Sequence, residues 1–393
     1  MDKAILVLNS GSSSIKFAVY GVANDLYCLW RGNVDAIGEN NSHLLAHDAA
    51  GEKYELGITA SDHDQAFSVL IEWIESVIQG LSLVAAGHRV VHGGSNYSAP
   101  VNVTHEIQRD LQTLCPLAPL HQPHNLHGIE VLSRIRPQLP QVACFDTAFH
   151  RKMPEVAQMF ALPQEITDAG VRRYGFHGLS YEYIAEVLPQ TLGESANGRV
   201  IVAHLGHGAS LCALQQCRSI ATTMSFSPLD GIPMATRCGA IDPSVVLYLQ
   251  QTMGMGVEEV AHLLNYRSGL LGVSGVSSDM RDLLASTESK AQLAVELFAY
   301  HVVRGVGSLA AALGGLDALV FTAGIGENAA PIRARICDGS TWLGIALDTK
   351  ANLLNRACIS LPESKVSAWV IPTNEELMIA RHTQRLVSAP VQQ

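Results

Sequence analysis

The sequence predicts an α/β fold in two similar halves, on three observations. Strand-like apolar runs alternate with helical patterns along the whole chain. An apolar strand, a small-residue turn and a second strand occur twice: with Gly11 aligned to Gly206, "AILVLNSGSSS" overlays "RVIVAHLGHGA". The chain has 393 residues, 48% of them hydrophobic, which is enough to bury the cores of two domains. Chance repetition of a common strand-turn-strand unit is the alternative to duplication.

Taken in order, "AILVLN" and "IKFAVY" pair as a hairpin around Asn9 to Ser14. "QAFSVLIEWIESVIQGL" (65–81) has apolar residues at helical spacing and a stop at Gly80. "LVAAGHRVVHGG" (83–94) and "QVACFDTAFH" (141–150) are strands that run into polar clusters. "GRVIVAHLGHGASLCAL" (198–214) is strand, Gly-rich turn, strand. "KAQLAVELFAYHVVRGVGSLAAAL" (290–313) is a long, largely apolar helix. "LDALVFTAGIGENAAPIRARI" (316–336) is strand, Gly turn, helix. No long linker or low-complexity segment interrupts the series.

Composition narrows the function. The formal net charge is -10 with no basic run, which argues against nucleic acid or an anionic membrane as the main partner. The eight cysteines are scattered without a CxxC pair, which points to a reducing compartment with neither a disulfide framework nor a zinc site. No signal-like N-terminus and no uninterrupted apolar run of bilayer length are found, so a soluble cytoplasmic protein is expected.

The polar turns suggest anion chemistry. Three serines and a glycine in the first hairpin offer hydroxyl and N–H donors. His88, Arg89, His92, Asp146, His150, Arg172, Arg173, His177, Arg237 and Asp242 all fall at strand or loop ends. A lone Arg is usually a surface ion partner, but several beside glycines suggest one shared anionic site. "TNEE" (373–376) adds acids at a helix start, which with Asn9 could hold Mg²⁺. Walker-type GxxxxGK[ST] and HExxH motifs are absent. "GIGENA" (324–329) fits GxGxxA, and Asp348 lies near the distance of a ribose-binding acid, so a dinucleotide site competes; the fingerprint sits late in the chain instead of opening a domain. Together the parts read as phosphoryl transfer without a Walker loop.

The segments "LNSGSSSIKF", "HRVVHGG", "APLHQPHN", "FDTAFH", "RRYGFHGLS", "AHLGHGAS", "SSDMRD", "FTAGIGEN" and "TNEELMIA" make the chain resemble the acetate/propionate kinase family over nearly its whole length. The resemblance implies the duplicated fold shared with actin, hexokinase and chaperone ATPases. It implies an N-terminal domain of residues 1–148 plus 376–393, a nucleotide-binding domain of 149–375, and an active site in the cleft between them. The implied reaction is reversible Mg²⁺-dependent transfer from ATP to acetate, giving acetyl phosphate and ADP, with Mn²⁺ as an alternative metal.

The roles follow from the same resemblance. Arg89, Asp146, His177 and Arg237 would be catalytic, Arg89 also gripping the carboxylate. Val91, Leu120, Phe176 and Pro228 would line the acyl pocket. Ser12, Ser14, Lys16, His204, Leu205, Gly206, His207, Gly208, Asp279, Met280, Arg281, Gly324, Ile325, Gly326, Glu327 and Asn328 would hold the nucleotide. Asn9 and Glu375 would be on the metal side. Acetate or propionate, ATP and a second copy of the chain are the implied partners. The chain departs from the family's usual pattern at His207 (usually Asn), Cys238 and Ala240 (in SGDIDP), Asp230 (usually Glu) and Ala235 (usually Gly). A propionate kinase and an actin- or chaperone-like ATPase clamp are the rival readings.

Overall fold

The computed structural model describes residues 2–23, 25–39, 41–78 and 80–388; residue 1 and residues 389–393, at the ends of the expected N-terminal domain, lie outside them. The chain forms two compact units. The first runs up to Ala148 and takes back the chain from Asn374 onward; the second spans Phe149–Thr373.

The first unit is built on an eight-stranded sheet: β1 (Asp2–Ser10), β2 (Ile15–Val22), β3 (Leu26–Asp35), β4 (His43–Asp48), β5 (Lys53–Gly57), β6 (Leu81–Val90), β7 (Val101–Asn102) and β8 (Gln141–Phe145). Their order across the sheet is β5-β4-β3-β2-β1-β6-β8-β7. β1 pairs antiparallel with β2, as the hairpin reading expects, and parallel with β6. Ala4 to Leu8 are all buried, because a central strand is covered on both faces. On one face Leu6, Leu8, Phe17, Val19, Val34 and Leu44 pack against the helix His63–Val77 through Phe67, Leu70, Ile71 and Ile74. That helix starts where Asp62 accepts a hydrogen bond from Gln65 N at 2.9 Å. It stops at Val77, short of Gly80, because Leu81 already opens β6. A second core, with Val90, Phe145, Leu126 and Ile129, ties β6 and β8 to the helix Gln122–Ile135.

The second unit has five strands: β9 (Arg199–Leu205), β10 (Ala209–Gln215), β11 (Arg218–Thr222), β12 (Ala318–Thr322) and β13 (Ser367–Val370). Their order is β11-β10-β9-β12-β13. β11-β10-β9 are antiparallel, and β12 and β13 continue in parallel. The first unit contains the same series in β3-β2-β1-β6-β8. The two glycine turns aligned in the sequence therefore occupy the same place in two copies of one sheet, and the duplication is real. The fold is a duplicated α/β architecture.

The helix Ser289–Leu313 matches the expected one and buries Ala294, Val295, Phe298, Val302 and Val306. By length and apolarity it could cross a bilayer, a property its scattered charges hide from a search for uninterrupted apolar runs. "GIGEN" differs from its expected turn: β12 passes directly into the helix Ala323–Asn328. Ala323 takes a left-handed φ of 65° at that junction, and its N–H donates to Glu327 Oε1 at 2.8 Å.

Candidate active site

In the first unit, Arg89 lies one residue before the end of β6, and Asp146 follows the end of β8. The two strands are parallel neighbours with Arg89 opposite Cys144, so the side chains meet at one strand edge. Arg89 Nε donates to Asp146 Oδ1 at 3.1 Å and Nη2 to Oδ2 at 2.5 Å, a two-point fork. Glu375, the first residue of the helix Glu375–Ser388, lies 3.8 Å from Arg89 Nε. Burial pushes the Glu375 carboxyl up to about 7, against the attraction of Arg89, with Asp146 and Glu376 adding repulsion. Desolvation works against the Arg89 charge, but Asp146 and Glu375 outweigh it and raise its pKa.

The turn beyond Arg89 is held by buried amides. Val91 N donates to Asn125 Oδ1 and His92 N to Gln122 Oε1, each at 3.0 Å. Gly93 N donates to Thr147 Oγ1 at 3.0 Å. Asn125 Nδ2 donates to Ser10 O at 2.7 Å, which joins this turn to the end of β1. There Asn9 stands opposite Lys16, and Ser12 and Ser14 lie in the short loop closed by Gly11 N donating to Ser14 O at 2.8 Å. Gln122, Asn125 and Thr147 carry no role in the sequence reading. The signal for Gln122 and Asn125 was a pair of amides on the otherwise apolar buried face of the helix Gln122–Ile135.

In the second unit, His177 precedes the helix Gly178–Leu192 in the left-handed region, φ 59°. Ser210 Oγ lies 2.9 Å from its Nδ1, and Tyr181 OH lies 2.5 Å from the same Oγ. The His177 ring stacks on His204 at 4.2 Å. His204 Nδ1 is 2.8 Å from Ser180 Oγ, which is 2.9 Å from Thr373 Oγ1. Arg237 Nη1 donates to Pro228 O at 3.2 Å. A Cβ built on Gly208 would lie 3.2 Å from His177 Nε2 and 3.8 Å from Arg237 Nη1. The tips of both side chains therefore converge over a backbone where a side chain would crowd them.

Beside them is a cavity of about 540 Å³, lined by Gly206, His207, Asp279, Met280, Arg281, Gly324, Ile325 and Asn328 together with Ala235, Ser278, Leu284, Ala329 and Pro331. Residues from three distant segments named in the sequence reading thus surround one space. Leu205 is fully buried in β9, Gly326 is buried within its helix, and Glu327 accepts from Ala323 N and Thr373 N; these three are not in the lining. Asp279 caps the helix Met280–Ala285 and pairs with Arg281 at 2.6 Å. Arg281, chiefly by hydrogen bonding, lowers the Asp279 carboxyl to about 2. Arg333, absent from the sequence reading, is fully buried beneath the cavity wall. Its five donors reach Gly326 O, Glu327 O, Asn352 Oδ1, Asn352 O and Asn355 Oδ1 at 2.5–2.9 Å. It carries the end of the Ala323–Asn328 helix.

Several candidates fall outside these clusters. His88 and His150 are buried, and desolvation pushes both down to about 4, so they are neutral core residues. His150 Nε2 donates to Phe176 O at 2.9 Å. Arg173 lies over the Phe160 ring and 3.8 Å from Asp230. Asp242 and Asp348 are helix caps, accepting from Ser244 N and Ala351 N. That employment of Asp348 removes the acid a dinucleotide fingerprint needs. Val91 is buried but lies just past the end of β6, Phe176 is buried, and Leu120 is 38% exposed.

The family model described as the acetokinase family matches residues 4–381. The chain belongs to the acetokinase family. It is 55% identical to the acetate kinase of Rhodopseudomonas palustris (strain ATCC BAA-98 / CGA009), over 98% of this chain and 99% of that protein. It is 50% identical to the acetate kinase of Rhizobium meliloti over the same shares. Among solved structures, Porphyromonas gingivalis acetate kinase matches with a TM-score of 0.89 at 38% identity, covering 98% of this chain and 100% of that one. A propionate kinase from Francisella tularensis subsp. tularensis SCHU S4 matches at 0.92 and 39%, with the same coverage. The acetokinase-family segments hold this chain's departures too. His207 lines the cavity, and its carbonyl accepts from Ala235 N at 3.2 Å. Asp230 accepts from Gly231 N at 2.8 Å and from Ser225 Oγ, and Ala240 N donates to Gly231 O at 2.8 Å. Cys238 N donates to Leu264 O at 3.1 Å. The Ala235, Cys238 and Ala240 bonds run through the main chain, and Asp230 acts through its carboxylate, so main chain and Asp230 together close the loop around Arg237.

Proposed function

We propose that the chain transfers the γ-phosphoryl group of ATP to the carboxylate of acetate, giving acetyl phosphate and ADP, and runs in both directions. Family membership supports the reaction class. The Arg89–Asp146 fork beside Glu375 is the observation that carries the residue-level reading.

An acetate oxygen attacks the γ-phosphorus as the bond to the ADP oxygen breaks. A carboxylate is already ionised at neutral pH, so the acceptor needs no general base. Asp146 instead fixes the plane of Arg89, which grips the carboxylate and the transferring group. Arg237 and His177 face the developing charge on the phosphoryl oxygens. The cavity residues hold the nucleotide, with Met280, Leu284 and Ile325 offering apolar contact to a base. Val91 and Leu120 in the first unit, and Phe176 and Pro228 in the second, are the residues assigned to the acyl methyl.

The donor set suits Mg²⁺. Asn9 and Glu375 offer hard oxygens, and Glu375 is a desolvated carboxylate whose neighbours Asp146 and Glu376 make a further cation favourable. They would hold it directly or through water. When bound it neutralises phosphate charge. Mn²⁺ has the same preference for oxygen ligands.

A homodimer is supported by exposed apolar side chains in the second unit, including Leu247, Tyr248, Met253 and Val257. A cytoplasmic site fits the eight free cysteines. A hydroxamate trap for acyl phosphate, run with ATP and acetate, propionate or butyrate, tests the reading. Acetyl hydroxamate in excess over propionyl is expected. No hydroxamate with any acid would overturn the kinase assignment, and a propionyl excess would make the chain a propionate kinase.

A further inference from the structure

The first unit carries a second cavity, of about 390 Å³, on the sheet face opposite the Phe17–Val19–Val34 core. Strand register explains its lining. Lys16 stands opposite Asn33, and Ala18 opposite Arg31, which in turn faces His47. Ala18 therefore leaves a low floor between three basic residues. Asn374 and Glu376, from the start of the C-terminal helix, complete the rim, and Asp35 closes one end.

The charges do not satisfy one another. Lys16, Arg31 and His47 form no ion pair among the described residues, and neither do Asp35 and Glu376, although all five line one space. Elsewhere on the surface opposite charges close up, as in Arg136–Glu75 at 2.7 Å and Arg199–Asp317 at 2.6 Å. Arg31 and Glu376 both act on the Tyr20 hydroxyl, in opposite senses, so they share its neighbourhood without meeting. A space that keeps cations and anions apart fits a ligand bearing both. Lys16 and Arg31 with the His47 ring, against Glu376 and an Asp35 carboxylate that also accepts from Asn33 Nδ2, fit a ligand with two carboxylates and one ammonium.

The geometry points to a binding site for an acidic α-amino acid in this cavity. Its carboxylates meet Arg31, Lys16 and His47, and its ammonium meets Glu376 and Asp35. The size suits a small metabolite. The site also touches the reaction machinery. Asn374 Oδ1 accepts from Leu377 N at 3.0 Å and from Tyr20 OH at 3.4 Å, so it caps the helix that presents Glu375. An amino acid seated against Asn374 therefore bears on the start of the helix that presents Glu375, and the affinity for metal-bound nucleotide changes with it. This coupling rests on the proposed role of Glu375; the binding does not.

Isothermal titration of the full chain with L-glutamate and L-aspartate tests it, with a non-hydrolysable ATP analogue and acetate already saturating. One amino acid per chain is expected, with glutarate, which lacks the ammonium, at least about tenfold weaker, as loss of one charge-assisted contact implies. Arg31→Gln and Asp35→Asn should each weaken L-glutamate by about tenfold or more and leave kcat without it unchanged. Saturating L-glutamate should shift the KM for Mg²⁺-ATP by about fivefold or more. No binding at about 10 mM, weaker than any useful site, would overturn the proposal, as would equal affinity in both variants or equal binding of glutarate. Binding with an unchanged KM would overturn the coupling alone. The hydroxamate assay on the same preparations shows separately whether the kinase reading holds.

Discussion

The two units hold their functional residues in opposite ways. In the first, charge holds charge: Arg89 is forked onto Asp146, with Glu375 in the same field. In the second, neutral groups and backbone position His177, His204 and Arg333, and the Asp279–Arg281 charge pair in the cavity wall is local to a helix start. His177 and His204 rest on serine and threonine hydroxyls, and buried Arg333 is satisfied by carbonyl and amide oxygens. The contrast fits the two tasks proposed for the units. A carboxylate is small and identified by its charge, whereas a nucleotide is large and identified by shape as well as by phosphates. The first unit should therefore be sensitive to charge changes, and the second to changes in the space it encloses.

The largest effects should come at the residues proposed to act on the transferring group. Asp146→Asn and Arg237→Ala should each lower kcat at least about 100-fold with the fold intact, since one preorganised charge contact is commonly worth roughly 3 kcal/mol. Near wild-type kcat in either folded variant would remove that residue from the mechanism.

Glu375 sharpens the comparison through pH. Its folded pKa, about 7, stands above its ordinary 4.5. The folded state therefore binds this proton more tightly than the unfolded one, and the associated stability is full below the ordinary value and lost as pH rises through about 7. Denaturant titrations of the chain without nucleotide or metal should show Glu375→Gln gaining on wild type between pH 5 and 8, by on the order of 1–2 kcal/mol after allowance for screening. Parallel pH profiles would contradict the raised pKa.

Val91→Ala should raise the propionate-to-acetate ratio of kcat/KM by about tenfold, as removal of a stiff β-branched side chain makes room for one methylene. The sequence argument placed Val91 two residues along a strand from Arg89, but the strand ends at Val90. An unchanged ratio would make Val91 simple core. The smallest effect should be at His207. His207→Asn should flatten the pH dependence of the KM for ATP between roughly pH 6 and 8, because only the protonated ring attracts phosphate strongly. Identical profiles would mean that only its backbone matters.

Much of this was legible in the sequence because it rests on local signals. Apolar runs with small-residue turns marked both hairpins, and alignment of Gly11 with Gly206 marked the duplication, now visible as the repeated strand order. Burial was less legible. His88, His150, Arg173 and Asp242 sit in the same kind of polar turn as Arg89 and Arg237, yet the first two are neutral core residues and the last two serve local contacts. A turn shows that a polar residue is needed, not which way it faces. Arg333 was missed for the same reason: inside "PIRARI" it looks like an exposed helix charge, and only tertiary packing buries it.

Paired steady-state kinetics on Arg89→Lys and Met280→Ala tests the division of labour most directly. Arg89→Lys loses the planar fork that meets a carboxylate. It should raise the KM for acetate by about tenfold or more and leave the KM for ATP within about twofold, as loss of one charge-assisted contact implies. Met280→Ala, which enlarges the cavity of the second unit, should raise the KM for ATP and leave that for acetate unchanged. If Arg89→Lys weakens ATP and acetate equally, or Met280→Ala weakens acetate, the separation of acceptor and nucleotide between the two units is wrong.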